Sequence, residues 1–379
     1  MSQEAGVPES PAPHPAVDLD AGLASGFWLP IWRRFRKNRL GVISGIILIV
    51  LYTLAVFAPF FSPYPFDEFH GKVKFAPPQR VRVFDEAGRL TAPFTYAYKR
   101  QMDPETLALN YQEDRSTRYR VRFFVRGEPY RVLFVIPART RFIGIEEGGT
   151  LFLLGTDVLG RDLLSRILTA AQVSLSVPLV GTFITVVLGL ILGVASGYFG
   201  GVIDDIIQRF IELLLSFPHI PLWLALSAAI PPTWPSNYVY LTIVAILSFI
   251  GWGGLARVVR GKVLAYRGEE YVLAARAAGA RNWRIITRHL VPGCLSHTIV
   301  VATLSIPGII LGESALSYLG VGVTPPMTSW GVLIKDATSI HAIVRHVWLT
   351  IPGLMITVTV LCFNFLGDAI RDAVDPFAT

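Results

Sequence analysis

The sequence is poor in charge. Of its 379 residues only 16% are Asp, Glu, Lys or Arg, where a soluble domain carries about 25%. That deficit, beside a hydrophobic content of 52%, argues against an ordinary soluble enzyme. It also excludes a disordered chain, which needs low hydrophobicity and high net charge. Cysteine is scarce too. Cys294 and Cys362 cannot build a disulfide scaffold, and neither stands near a His or a second Cys at zinc-ligand spacing. Catalytic signatures are missing: there is no H-E-x-x-H and no G-x-S-x-G. The stretch from Gly254 to Gly261-Lys262 fails as a phosphate loop, because six residues separate the glycines and Val263 follows the lysine. Gly320-Val321-Gly322 lacks the third glycine of a dinucleotide fingerprint. No enzymatic activity, cofactor or metal site is therefore assigned to the chain.

What is present is a set of long charge-free windows. None of the four charged residue types occurs in 41–61, 167–203, 213–256, 290–312 or 346–367. A helix needs roughly 20 apolar residues to cross the hydrocarbon core. Pro231, Pro232 and Pro235 divide the third window, so the pattern predicts six spans near 41–61, 172–198, 209–230, 237–256, 296–317 and 346–367. The predicted fold is an all-α polytopic membrane protein. Lys and Arg in short flanks set its orientation. Arg33, Arg34, Arg36, Lys37 and Arg39 precede the first span, and the loop after the fourth carries Arg257, Arg260, Lys262, Arg267, Arg276, Arg281, Arg284 and Arg288. Both clusters place the two termini in the cytoplasm of a cell whose plasma (inner) membrane holds the chain. The first apolar run is longer than a signal-peptide core and no A-x-A-like site follows it, so it is read as a retained anchor.

Four regions follow: a Pro- and Ala-rich tail at 1–26 expected to be disordered, an anchor with the first span at 27–62, an extracytoplasmic insertion at 63–165, and a membrane core at 166–379 with a cytoplasmic loop at 257–292. The insertion contains alternating runs such as Tyr119-Arg120-Val121-Arg122-Phe123 and Tyr130-Arg131-Val132-Leu133-Phe134. Alternation of this kind predicts half-buried strands, hence a β-rich domain between the first two spans. It holds one histidine, His70, and no cysteine, which is thin material for a catalytic centre.

The cytoplasmic loop is the most informative stretch. In Gly268-Glu269-Glu270-Tyr271-Val272-Leu273-Ala274-Ala275-Arg276-Ala277-Ala278-Gly279-Ala280-Arg281, the two glutamates suit a helix N-terminus. Alanine is the best helix former, and Gly279 suits the left-handed position that ends a helix. The spacing predicts a helix of about two turns whose small side chains let another surface approach its backbone. Asn282 is placed to cap a second helix to about Leu290, and Pro292 to begin the return to the membrane. On spacing alone an Ala-rich connector with headgroup-facing arginines is the equal alternative.

This loop resembles the "EAA" coupling loop of binding-protein-dependent ABC importer permeases. Ala274, Ala275 and Gly279 match its E-A-A-x3-G core and Pro292 its distal proline, while Leu273 stands at the glutamate position. The run Glu270, Tyr271, Val272, Ala274, Ala275, Arg276, Ala277 and Gly279 is similar to the oligopeptide/dipeptide branch pattern E-Y-V-x-A-A-R-A-x-G. Leu154-Gly155-Thr156-Asp157-Val158-Leu159-Gly160-Arg161-Asp162 resembles that branch's L-G-T-D-x-x-G-R-D run. Gly197-Tyr198-Phe199-Gly200-Gly201 with Asp204 resembles its turn after the second span. Glu313 to Gly320 with Pro325-Pro326 and Ser329-Trp330-Gly331 resembles its fifth-span exit, and Gly367-Asp368, Arg371-Asp372 and Asp375-Pro376 its C-terminal signature.

The resemblance covers about 30–62 and 150–378 and favours the C-type permease subunit. It implies the type I importer fold and no catalysis by this chain. It also implies a second homologous permease, two cytoplasmic ATPase subunits that hold ATP and Mg, an extracytoplasmic substrate-binding protein and surrounding lipid, with no nucleic acid. Coupling to the ATPase is implied for Glu270, Tyr271, Ala274, Ala275, Arg276, Gly279, Ala280 and Arg284, and an outer-mouth motif for Asp157, Gly160, Arg161 and Asp162. The implied cargo is a peptide or peptide-like solute, though relatives of such permeases carry nickel, glutathione or oligosaccharides. A self-sufficient secondary transporter or channel is the rival from another class. It predicts internal repeats and charged or broken helices at the midplane, and neither is evident in the sequence.

Charged residues at span edges have simpler expectations. Spacing of four pairs Asp157 with Arg161 and Asp162 with Arg166 on a helix. Glu313 is read as hydrogen-bonded to Ser317 or backbone, Asp204 and Asp205 as solvated, and His219 and His346 as packing groups.

Overall fold

The computed structural model describes residues 28–71, 73–86, 88–102, 109–132, 135–338 and 345–374. The expected tail at 1–26, Leu133-Phe134 and Asp375-Pro376 lie outside the described residues.

An amphipathic helix, α1 (Trp28–Lys37), leads into α2 (Arg39–Val56). The break between them is made by Asn38, whose side chain accepts a hydrogen bond from the Gly41 amide at 3.0 Å and so caps α2. A single turn, α3 (Ala58–Phe61), closes the C-terminal end of this span. The membrane core continues with α4 (Leu163–Phe199), α5 (Gly201–Ser216), α6 (His219–Ala228) and α7 (Ser236–Tyr266). After α8 (Glu270–Ala277) and α9 (Asn282–Ile285), a π-helical turn at Ile286–Leu290 runs directly into α10 (Val291–Leu319). The short α11 (Trp330–Asp336) and the long α12 (Ile351–Val374) complete the described chain.

Among the described residues, five helical stretches are long and apolar enough to cross a membrane, and the count reaches six if α5 and α6 together form one span. The charge-free window at 209–230 is not one straight helix. It divides at Phe217–Pro218, where α5 and α6 meet at 88°. Proline offers no amide to continue the ladder and pushes the residue before it out of the helical region, and Phe217 is extended, with ψ 138°. Elsewhere the helices outrun their charge-free windows. α7 continues past its window through Arg257, which is exposed, and Arg260, whose guanidinium turns to a carboxylate on α5.

The centre of the fold is α4 against α7. Gly189, Gly193 and Gly197 fall four residues apart on one face of α4, and a Cβ on Gly193 would lie 2.6 Å from the Ala256 carbonyl oxygen. Small residues at this spacing let two membrane helices pack backbone to backbone. A second core gathers Leu48, Leu51, Ile167, Ile310, Trp330 and Phe363 from α2, α4, α10, α11 and α12. Within it Glu313 is fully buried. It is held by hydroxyls: Ser317 donates to it at 2.7 Å, Ser314 at 3.4 Å and Ser174 at 3.5 Å. Ser174 also accepts the Trp330 amide at 3.0 Å, so one cluster ties α4, α10 and α11. Removing a buried acceptor strands its donors, at roughly 1–3 kcal/mol. Glu313→Ala is therefore expected to lower the thermal midpoint of the purified chain in detergent clearly, and Glu313→Gln, which keeps an acceptor, to lower it less. Equal midpoints for the two variants would remove this role.

The insertion is β-rich, as its alternation predicts. β1 (Arg82–Phe84), β2 (Leu90–Met102), β3 (Leu109–Val132) and β4 (Ile136–Ile145) form an antiparallel meander in the order β1-β2-β3-β4. The long β3 changes partner midway, pairing with β2 up to Arg120 and with β4 from Val121 onward. Gln79 fastens the sheet to the segment that enters α4: its side chain donates to the Tyr96 carbonyl at 3.4 Å and accepts the Phe152 amide at 2.6 Å.

Candidate functional site

The loop between α7 and α10 has the predicted form. Glu270 opens α8, which runs two turns to Ala277, and Gly279 adopts φ +78°. The Gly279 amide donates to the Arg276 carbonyl and the Ala280 amide to the Ala275 carbonyl, both at 3.0 Å. Those two bonds form a Schellman closure, in which a left-handed residue satisfies the last carbonyls of a helix. They give Ala275 and Ala280 a backbone reason for their half-burial. A Cβ on Gly279 would meet nothing within 4 Å.

One residue anchors this helix inward. Val272 is fully buried with Val259, Val263, Ile285 and Leu290. The rest of the helix is open: Tyr271, Leu273, Ala274 and Arg276 are exposed. Arg276 lies 5.8 Å from the Tyr198 ring, and Arg267 donates to the Gly197 carbonyl at 3.2 Å, so the loop leans on the end of α4. Asn282 does not cap the second helix. Arg281 holds the N-cap position without a side-chain bond, and the Asn282 side-chain Oδ1 instead accepts from the Tyr198 hydroxyl at 2.8 Å. Sequence reasoning passed over Trp283, which is 75% exposed beside Arg284. An indole this open on a helix between two basic residues was itself a signal, because a large exposed aromatic marks a contact surface.

The expected solvation of Asp204 needs correction. Both its oxygens meet the Arg260 guanidinium, at 2.6 and 2.5 Å, and Ser196 donates to it as well. The fork of an arginine matches a carboxylate at two points, and here it ties the α4–α5 turn to α7. Asp205 is exposed as expected.

At the far end of α4, Asp157, Gly160, Arg161 and Asp162 come together in a tight turn, not on a helix. Asp157 accepts from the Leu159 and Arg161 amides at 2.8 and 2.9 Å, from Arg161 Nε at 2.7 Å and from Arg166 at 2.6 Å. Gly160 has φ +80°, and a Cβ there would lie 2.3 Å from the His70 carbonyl oxygen. The 157/161 pair exists, but the 162/166 pair does not. Asp162 caps α4 through the Ser165 amide and hydroxyl, at 2.8 and 2.6 Å. Burial pushes its carboxyl up to about 7, against the Ser165 bonds that favour the charged form. Arg166 bridges Asp157 and Asp336, and Arg161 reaches Asp336 too, at 3.1 and 3.2 Å. Asp336, on α11, is the member that sequence reasoning missed. His346 stacks on Phe75 at 4.5 Å, and His219 lies tilted against Trp223 at 5.9 Å, both as packing groups.

Residues 186–379 match the family described as binding-protein-dependent transport system inner membrane component, and residues 26–78 match the N-terminal TM domain of oligopeptide transport permease C. The chain is 42% identical over 223 residues to the oligopeptide transport system permease protein OppC of Haemophilus influenzae, covering 59% of this chain and 69% of that one. It is 31% identical over 346 residues to the dipeptide transport system permease protein DppC of Bacillus subtilis, covering 91% and 84%. It is 39% identical over 223 residues to the glutathione transport system permease protein GsiD of Pectobacterium atrosepticum, covering 59% and 72%.

Proposed function

The chain belongs to the family of binding-protein-dependent transport system inner membrane components, and from that membership we propose that it is the permease subunit of an ATP-driven importer that carries peptides across the cytoplasmic membrane. Peptides are favoured because the relatives matched over most of the chain are named for oligopeptide and dipeptide transport. Glutathione, the cargo in another relative's name, is itself a small peptide. In this reading the termini and the α7–α10 loop are cytoplasmic and the sheet lies outside. A second permease completes the pathway, two ATPase subunits bind ATP and Mg, and a binding protein delivers cargo.

The observation that carries the coupling role is α8 itself. It is a short helix with one fully buried anchor, Val272, while Glu270, Tyr271, Leu273, Ala274, Arg276 and Ala277 stand exposed. Such a helix adds little to its own chain's core and leaves its surface for another. Glu270, Tyr271, Ala274, Ala275, Arg276, Gly279, Ala280 and Arg284 are proposed to make or shape that contact, with Trp283 beside them. ATP binding closes the ATPase pair, and rigid-body movement of the spans follows.

Gly279 supplies the test. Its missing Cβ points into open space, so a substituent there disturbs no packing within the chain. Gly279→Arg is expected to abolish peptide uptake in cells while the variant still inserts. Gly279→Asn, which tolerates the left-handed conformation, is expected to retain most uptake. Full uptake by Gly279→Arg at normal abundance would sink the docking assignment.

A further inference from the structure

The sheet has a foot of phenylalanines at the outer end of the first span. Phe60 and Phe61 belong to α3, Phe123 and Phe124 to β3, and Phe142 to β4. Their rings touch as one cluster: Phe60 lies 5.9 Å from Phe142 and 6.3 Å from Phe124, and Phe142 lies 5.6 Å from Phe124 and 5.7 Å from Phe123. Because α3 follows α2 after one residue, the cluster sits at the level where α2 leaves the hydrocarbon core. Phe123 is 50% exposed and Phe124 65% exposed.

Two neighbouring residues of a strand normally point to opposite faces. Here both are open, and Phe124 has φ +54°. The left-handed region disfavours a residue with a Cβ by roughly 1–2 kcal/mol, so the fold accepts a cost to project this ring. Phe123 still pairs with Ile143, and Val125 with Arg141, on either side. An exposed apolar stripe on α2 (Ile46, Ile49 and Val50), with Thr53 and then Phe57 just past the helix end, leads up to this cluster. Arg126 and Arg139 stand exposed close by on β3 and β4. Open aromatic rings beside cationic side chains, level with the end of a span, have the composition of a membrane interface.

We infer that Phe123 and Phe124 insert into the headgroup–acyl boundary of the bilayer, so that the inserted sheet is a membrane-seated platform anchored at this foot. The inference rests on the proposed topology only for which leaflet is meant. Arg126 and Arg139 then face lipid phosphate, and the rings replace water with acyl chain. The foot fixes how the sheet stands over the core without any contact to a second protein.

Spin labels read this directly. The complete transporter, with its co-purifying subunits, is reconstituted in vesicles of phosphatidylethanolamine and phosphatidylglycerol. The chain carries Cys294→Ser and Cys362→Ser, with Phe124→Cys or Phe123→Cys labelled in turn. The second site, whose backbone is ordinary, guards against local misfolding at the first. Collision with oxygen, which concentrates in the bilayer, is expected to exceed collision with a water-soluble nickel chelate several-fold at both sites. The inference is overturned if the nickel chelate dominates, which places the rings in water. It is equally overturned if both reagents are excluded, which places them against another protein subunit.

Discussion

Gly193→Ala is expected to destabilise the chain by about 3 kcal/mol, at the upper end of the usual range for overpacking, and Gly193→Val to prevent recovery of folded protein. The added Cβ would stand 2.6 Å from the Ala256 carbonyl oxygen and 2.8 Å from the Val259 Cβ. No rotamer change relieves a clash with backbone, so α4 and α7 must separate. Separation at Gly193 loosens Gly189 against Leu255 and Gly197 against Val263 as well. Gly254→Ala provides the contrast on α7, because nothing lies within 4 Å of its Cβ position. There the substitution is expected to be neutral or to gain up to about 1 kcal/mol of helix propensity. Melting followed by size-exclusion chromatography in detergent separates the two. A Gly193→Ala midpoint equal to that of Gly254→Ala would show that the helices are not in backbone contact.

The second large effect is expected at the outer staple. Asp157→Ala removes the carboxylate that faces both Arg161 and Arg166, and Arg166 is almost wholly buried. Breaking a buried pair from one side leaves an uncompensated charge and costs about 3–5 kcal/mol. Asp336→Ala should cost less, since Asp336 is a third exposed and water can replace it. The double variant Asp157→Ala with Arg166→Met should recover part of the loss, because it removes the stranded cation and fills its volume with an apolar chain. Thermal midpoints of the single and double variants give the coupling. Strictly additive losses would mean that the two side chains do not act as a pair.

Much of this was legible in the sequence, and the reason differs by element. Spans are read from a single scalar, charge or no charge along the chain, and that scalar located every apolar helix. It could not see direction, so the 88° turn at Phe217–Pro218 passed for the middle of a span. The two-turn α8 and the left-handed Gly279 were legible because helix closure is local chemistry. The staple was only half legible. Asp157 with Arg161 lies within one turn, but Asp336 comes from 170 residues beyond Arg166, and nothing local announces it. The capping of α4 by Asp162 competes with an ion pair at the same spacing, and the nearer amide won. The glycine repeat at 189, 193 and 197 was in plain view as a spacing of four. A hydropathy reading counts glycine as neutral and so passes over it.

The helix that leaves the coupling loop has a mechanical consequence. From Asn282 to Leu319 one helical rod runs as a single span through the π turn and past Pro307, each of which interrupts its hydrogen-bond ladder. Trp283 near one end and Glu313 near the other are about 45 Å apart at 1.5 Å per residue. A tilt of ~5° about the middle of such a rod moves each end by ~2 Å, in opposite senses. Under the proposed coupling role, a displacement at the indole would reach the Glu313 hydroxyl cluster, and Trp330 behind it, through this span. In that proposal the two ends of the span move together, and the link between them is as stiff as the helix is around its π turn and Pro307.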